Sequence, residues 1–296
     1  MDQIAFQIGP IAVHWYGILI VTGILAATYL SSYLAKLRGQ DPEFVWDALV
    51  WCVLLGVIGA RLYHVLTPTP SMGVGRWYYF QHPAQIFAIW EGGLGIYGAV
   101  AGGVLGLYIA ARRAHEPLLR WTDVMVPGLA LAQAIGRWGN YINQELYGKP
   151  TNLPWGIYID PRFRLPGYEM YDRFQPTFFY ESMWNLATAL ILAYVVWRYR
   201  NKLVPGLTTG IYFISYSVAR FLLEFIRLDA AAVGGIAIAQ IVALVVIAAF
   251  AAFLVYQVRK YRREGPPPGP EGTERSEPQL SSLQEDEEGQ SSSVQA

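Results

Sequence analysis

Seven apolar runs alternate with polar joints along this chain, at about 14–35, 44–66, 88–111, 121–141, 177–197, 207–227 and 233–257. Each approaches the roughly 20 residues that carry a helix across the hydrocarbon core of a bilayer. The pattern therefore predicts an all-α polytopic membrane protein of about seven transmembrane helices. The fourth run is the weakest, because its end merges into polar residues from Gly136 onward. Basic residues fall unevenly between the runs. Lys36, Arg38, Arg112, Arg113, Arg120, Arg198, Arg200, Lys202, Arg259, Lys260, Arg262 and Arg263 collect on one side, and only Arg76, Lys149, Arg162, Arg164 and Arg173 on the other. The richer side marks the cytoplasm. With an odd number of spans, the N-terminus is predicted outside and the C-terminus inside.

Two stretches break the pattern. Residues 142–176 are rich in Pro, Gly and aromatics and too apolar for a disordered linker. They are expected to form a small ordered cap on the outer face, between spans four and five, with a short strand at "WGIYID". From Gly265 onward Pro, Ser and Glu dominate and large apolar residues almost vanish. Such a segment buries too little surface to offset its ordering entropy. The expected organisation is a membrane domain over 1–264, with its cap at about 142–176, and a disordered cytoplasmic tail over 265–296.

Composition agrees with a membrane setting: 54% of the 296 residues are hydrophobic and 15% are charged, against about a quarter charged in soluble domains. The 22 basic and 22 acidic residues cancel, giving no sign of a nucleic-acid partner, and seven of the acids lie from Glu271 onward. Cys52 is the single cysteine, so no intrachain disulfide forms and no metal site is suggested. The opening "MDQIAFQIGP" lacks a basic n-region, and the first run is read as a retained anchor.

The informative residues are the polar ones within or beside apolar runs. "GLGIYG" (Gly93–Gly98) fits a dinucleotide fingerprint by letters alone, without the strand, helix and acidic residue that the site requires. The spacing of Gly95, Gly98, Gly102 and Gly106 suits close helix packing instead, and Glu91 nearby reads as interfacial. In run six, Tyr216, Arg220, Glu224 and Arg227 recur on one helical face. Ionisable groups inside a span are functional candidates by default; a structural Arg220–Glu224 pair and a snorkelling Arg227 are the alternatives. "GRWGNYINQELYG" (Gly136–Gly148) supplies a second cation, Arg137, followed by Asn140, Asn143 and Glu145, with Gly136, Gly139 and Gly148 allowing turns or close approach. A structural reading pairs Arg137 with Glu145. Two arginines on the outer halves of separate spans point to an anion between them, and the abundant anion at that depth is a lipid phosphate. Arg61 and His64 share a face near the outer end of run two, lining the same cavity or reaching interfacial water. Tyr16 in "HWYG" is placed at the interface. Glu181 in "QPTFFYES" falls near a helix start, where a dipole role and a site role both stand.

"GRWGNYINQELYG" closely resembles the signature of the bacterial prolipoprotein diacylglyceryl transferases, G-R-x-G-N-[FY]-x-N-x-E-x-x-G. "HWYG", "WEGGLGIYG", "QPTFFYE" and "ARFLLEFIR" match in order and spacing, and the resemblance spans about residues 5–260. It implies a seven-span enzyme of the bacterial plasma (inner) membrane, with a cleft open sideways to the bilayer. The implied reaction moves the diacylglyceryl group of phosphatidylglycerol to the thiol of the lipobox cysteine in a prolipoprotein signal peptide and releases glycerol phosphate. The resemblance assigns the lipid headgroup to Arg137 and Arg220. Asn140, Glu145, Gly148, Tyr16, Tyr216 and Glu224 match further functional positions; Asn143, Gly98, Arg61 and Glu181 complete the expected substrate-binding set. No cofactor or metal is implied.

One position departs from the family. Where some members have a histidine proposed as base for the thiol, this chain has Tyr97. A phenol titrates near 10 and a thiol near 8.5, so neutral tyrosine is a poor base. On this reading, the potential of Arg137 and Arg220 favours the thiolate and Tyr97 donates a hydrogen bond. The reaction is then an in-line displacement at the glyceryl carbon bearing the phosphate, with fixed guanidiniums stabilising the leaving group. The competing class is a membrane transporter or channel for an anionic lipid or solute, which more typically shows repeated halves; the first and last runs show no such repeat.

Overall fold

The computed structural model describes residues 3–9, 11–68, 77–228, 232–233 and 236–265. Arg76 and the expected tail beyond Gly265 lie outside them. Seven helices of 17–27 residues follow the apolar runs: α1 (Trp15–Leu37), α2 (Glu43–Leu66), α4 (Ile96–Arg113), α5 (Leu118–Asn143), α6 (Thr177–Arg198), α7 (Leu207–Leu223) and α8 (Ile238–Glu264). A single-turn helix, α3 (Tyr78–Gln81), lies between α2 and α4. Four of them, α1, α2, α6 and α8, are long and apolar enough to cross a membrane. They leave large apolar side chains exposed, such as Val50, Val53, Leu54 and Ile58 on α2 and Val242, Leu244 and Val245 on α8. A water-soluble monomer rarely exposes so continuous an apolar surface.

Glycine seams bring the helices together. A Cβ at Gly98 would lie 2.0 Å from the Gly59 carbonyl oxygen, and one at Gly102 2.0 Å from that of Leu55. The α2–α4 backbones therefore touch along the spacing read as packing. Gly128 on α5 meets Ala27 and Ser31 of α1 in the same way. At one end of the bundle, Trp121 stacks on Phe44 with centroids 3.9 Å apart, within a core that includes Leu34, Val45, Val124 and Val196.

α5 is pinned to α7 by a buried carboxylate. Asp123 accepts hydrogen bonds from the amides of Gly206 (2.6 Å) and Thr209 (3.0 Å) and from the Thr208 and Thr209 hydroxyls (2.9 Å each). It thus caps the first turn of α7 from a neighbouring helix, where unpaired N–H groups and the dipole favour an anion. α8 packs on α7 through Phe213 and Phe250, stacked at 4.3 Å.

The structure corrects several expected boundaries. An N-terminal hairpin, β1 (Ile4–Ile8) with β2 (Ile11–His14), precedes α1 and was not foreseen. The third run does not become helical until Ile96; residues 83–91 form 3₁₀ turns that include Glu91. The expected strand at "WGIYID" is present as β3 (Ile157–Tyr158), paired with β4 (Arg173–Phe174). A second short hairpin, β5 (Ala232–Val233) with β6 (Ile236–Ala237), precedes α8.

Between α5 and α6 the chain builds a miniature core of Tyr147, Ile159 and Phe174. The Tyr147 hydroxyl donates to Phe163 O (2.8 Å) and accepts from the Leu165 amide (2.7 Å). Arg164 ties the segment together through Ile159 O, Glu169 O and the Asp172 carboxylate. The chain divides into two compact units, Met1–Arg259 and Lys260–Ala296; the described part of the second holds a Lys260–Glu264 ion pair at 3.8 Å.

Candidate active site

The site grows from the way α5 ends. Gln144 takes up left-handed backbone angles (φ 54°, ψ 44°), and Leu146 also has a positive φ of 55°. Non-glycine residues seldom adopt this region, and such strain gathers at functional sites. The turn is held by Gln144 Oε1, which accepts from the Asp160 amide (2.8 Å), and by the Glu145 amide, which donates to Asn140 O (3.0 Å). It folds Glu145 back onto the helix end. Asn140 and Asn143 both donate to Glu145 Oε1, at 2.9 and 3.3 Å.

Glu145 is therefore engaged by amides, and the alternative that paired Arg137 with Glu145 gives way to another ion pair. Arg137 turns to α6: its Nη2 pairs with Glu181 Oε2, while Nη1 donates to Asn140 Oδ1 at 3.3 Å. Glu181 is the fifth residue of α6 and only 7% exposed. Its other oxygen lies 3.5 Å from Arg227 Nη1. Two guanidiniums from different elements thus share one buried carboxylate, which favours an ion-pair role over the dipole reading.

The run-six face is also revised. α7 stops at Leu223, Glu224 caps it, and a turn over 224–226 carries Arg227 into a bridge with Gly148. Tyr216, Arg220 and Glu224 remain together, with Arg220 Nη1 2.9 Å from Glu224 Oε2. Arg227 leaves the helix and is buried rather than snorkelling. A small cleft between α6 and α7 is lined by Glu181, Asn185, Tyr216, Ala219, Arg220 and Leu223. Glu181 therefore contacts Arg137 and Arg227 and also forms a wall of the cleft with Arg220.

Two of the signature glycines, Gly139 and Gly148, act through close approach, whereas a Cβ at Gly136 would meet only Ile20 at 3.9 Å. Gly136 and Gly139 are helical, and a Cβ at Gly139 would lie 2.2 Å from the Tyr16 ring. That places Tyr16 against the signature helix, in electrostatic reach of Glu145 and Arg137. A Cβ at Gly148 would crowd Ile226 O at 2.9 Å.

Other expected site residues gather elsewhere. Arg61 is buried and donates to the carbonyls of Gln85, Ile86, Gly92 and Gly93. His64 Nε2 lies 2.8 Å from the Tyr79 hydroxyl. Both organise the 3₁₀ segment ahead of α4, so the reading of Arg61 as a lipid ligand gives way to one as a backbone clamp. Gly98 belongs to the α2–α4 seam rather than to a ligand surface. Tyr97 is 72% exposed, and its ring neighbour is Tyr63, 5.6 Å away. Among the described residues it makes no hydrogen bond or ring contact with the arginine cluster.

The geometry combines half-buried Arg137 and Arg220, the buried Arg227, amides and a cleft beside apolar helices. The sequence profile described as "Prolipoprotein diacylglyceryl transferase" matches residues 3–256. The chain belongs to this family. A phosphatidylglycerol–prolipoprotein diacylglyceryl transferase from Gloeobacter violaceus is 45% identical over 238 residues, covering 80% of this chain and 86% of the relative. Proteins of the same name from Synechococcus elongatus (43%; 80% and 81% covered) and Chloroflexus aggregans (41%; 79% and 82% covered) are also similar. Family membership and the apolar helices together make this a multi-pass membrane protein.

Two participants were missed as site residues. Arg227 was visible three positions after Glu224 but was set aside as interfacial. Asn185 lies four residues after Glu181, on a buried polar stripe continued by Thr188. An amide within an apolar helix is itself a signal of a polar cavity.

Proposed function

We infer that this chain transfers the diacylglyceryl group of phosphatidylglycerol to the thiol of the lipobox cysteine in prolipoproteins and releases glycerol phosphate, the first step of lipoprotein maturation. The observation that carries this reading is that Glu181, held by Arg137 from α5, walls a cleft together with Arg220 of α7. Guanidiniums hold phosphate through paired, charge-assisted hydrogen bonds.

The nucleophile belongs to the peptide, consistent with Cys52 lying in the α2 helix as a free thiol. The cysteine sulfur attacks the glyceryl carbon that bears the phosphate. A C–S bond forms, the C–O bond breaks, and its electron pair leaves with the phosphate oxygen. The thiol proton is lost, and the phosphate monoester gains a charge. Arg137 and Arg220 stabilise that charge in a site of low dielectric. Asn140, Asn143, Glu145 and Gly148 shape the headgroup side; Tyr16, Tyr216 and Glu224 complete the walls. Arg61 and Gly98 support the site from a distance by fixing α2 against α4.

In this reading all seven long helices span the bacterial inner membrane, the N-terminus is outside, the C-terminus is cytoplasmic, and the 142–176 segment caps the outer face. Both substrates are then membrane-anchored and meet side by side, which supplies proximity. The test is to reconstitute the protein with phosphatidylglycerol and a lipobox peptide. A peptide mass gain of one diacylglyceryl unit, with glycerol phosphate released, is expected. Lipid movement across the bilayer without any peptide mass gain would favour the transporter reading instead.

A further inference from the structure

Glu181 sits where the incoming phosphate is needed. Each of its oxygens meets a guanidinium brought by a different element: Arg137 from α5, and Arg227 from the bridge beyond α7. Carboxylate and phosphate are the two anions that a guanidinium fork fits. The other two carboxylates of the site are held differently. Glu224 pairs within one helical stretch, and Glu145 is exposed and bound by amides. Glu181 is buried, yet it lines the cleft with Tyr216 and Arg220. Among the described residues Tyr97 has no hydrogen bond to this cluster, and Glu181 is the carboxylate that lines the cleft.

We propose that the Glu181 carboxylate occupies the anion site of the empty enzyme, yields it to the lipid phosphate, and once released takes the proton of the incoming thiol. The proposal rests on the reading of Arg137 as a headgroup ligand. Exchanging one anion for another keeps the arginines paired, so no guanidinium is left buried and uncompensated at any stage. The exchange also orders the reaction. While Glu181 is clamped between Arg137 and Arg227 it is a poor base; the phosphate, taken by Arg137 together with Arg220 of the cleft wall, draws Arg137 away and leaves one Glu181 oxygen free. As the C–S bond forms and the C–O bond breaks, the thiol proton moves to a Glu181 oxygen. It passes from there to the departing glycerol phosphate, so the carboxylate is regenerated and atoms balance.

The test compares the intact protein with Glu181→Gln, which keeps the shape and removes both the charge and the basicity. Phosphatidylglycerol binding is measured without peptide, and kcat and KM are measured with the lipobox peptide. The proposal predicts lipid binding at least as tight as in the intact protein, because no carboxylate competes for the arginines. It also predicts a kcat lower by about 10²-fold or more, the usual worth of a general base. Glu181→Asp, which keeps a carboxylate one methylene short, is expected to recover turnover by about tenfold over the Gln variant. A purely structural ion pair would give the opposite split, with weaker lipid binding and kcat close to normal. That split, or a Glu181→Asp variant no better than Glu181→Gln, overturns the proposal. Failure of the underlying reading registers separately, as unchanged lipid binding and turnover in Arg137→Ala.

Discussion

Asn140 shows how little freedom the site leaves to a single side chain. Its Oδ1 accepts from Arg137 and its Nδ2 donates to Glu145. A neutral amide, with an acceptor oxygen and a donor nitrogen on one rigid group, can bridge a cation and an anion in this way. In Asn140→Asp the second oxygen would face Glu145 as a like charge. Transfer activity is expected to fall in Asn140→Asp at least as far as in Asn140→Ala, each normalised to folded protein. An aspartate variant more active than alanine would mean that Asn140 serves only as an acceptor. A second residue-scale prediction concerns the segment between α5 and α6. The Asp160 carboxyl is held down at about 2, first by side-chain hydrogen bonds from Arg162 and then by the Arg162 amide. A carboxyl lowered by folding contributes stability above its unfolded value near 3.9, and that contribution is lost as pH falls through about 2. Proteolytic nicking of the segment is therefore expected to stay constant from neutral pH down to about 4 and to rise below it. Asp160→Asn is expected to show raised nicking throughout; an unchanged profile in that variant would remove the pair from the account.

At the scale of elements, two contacts set the frame that brings the arginines together. Asp123 fixes α7, which carries Arg220, against α5, which carries Arg137. Asp123→Ala leaves two amides and two hydroxyls without that partner, and a loss of at least about 2 kcal/mol is expected from orphaned buried donors, read as a lowered denaturation midpoint. Gly98→Ala drives a methyl into the Gly59 carbonyl and is expected to cost about 1–3 kcal/mol through overpacking. Stability is predicted to drop while lipid KM in the folded fraction holds; a raised KM at normal stability would restore Gly98 to the ligand surface. The helices themselves were legible because an apolar run of membrane length has few alternatives in a bilayer. The late start of α4 was not. "FAIWEGG" is apolar enough for a helix, but Gly92 and Gly93 take positive φ (87° and 71°), a local breaker that the packing pattern from Gly95 onward does not include. Arg61 also binds the carbonyls of Gln85, Ile86, Gly92 and Gly93, a tertiary contact without a local signature. The β1–β2 hairpin escaped notice because its few alternating residues were weighed only as a targeting signal. Arg137 and Arg220 stood out as cations beside apolar runs. The Arg220–Glu224 pair was legible from its i,i+4 spacing; the partner of Arg137 was not, since proximity along the chain favoured Glu145 and the fold supplied Glu181.

The whole molecule joins an apolar exterior to a charged interior. α2 and α8 present Val, Leu and Ile outward, while Arg137, Arg220 and Arg227 are balanced by the buried Glu181 and Glu224. Such charges are costly in a membrane protein and persist where they do chemistry. Relatives named phosphatidylglycerol–prolipoprotein diacylglyceryl transferase fit that division, with an exterior suited to lipid and an interior proposed to hold the phosphate. The central claim is that Arg137 and Arg220 form one anion site for the leaving phosphate. The most direct measurement is the rate of diacylglyceryl transfer to a lipobox peptide by Arg137→Ala and Arg220→Ala, reconstituted with phosphatidylglycerol beside the intact protein. Each variant is predicted to lose about 10²-fold or more, the scale of removing a transition-state charge stabiliser, while remaining folded. Transfer within a few-fold of the intact protein in either folded variant would contradict the account.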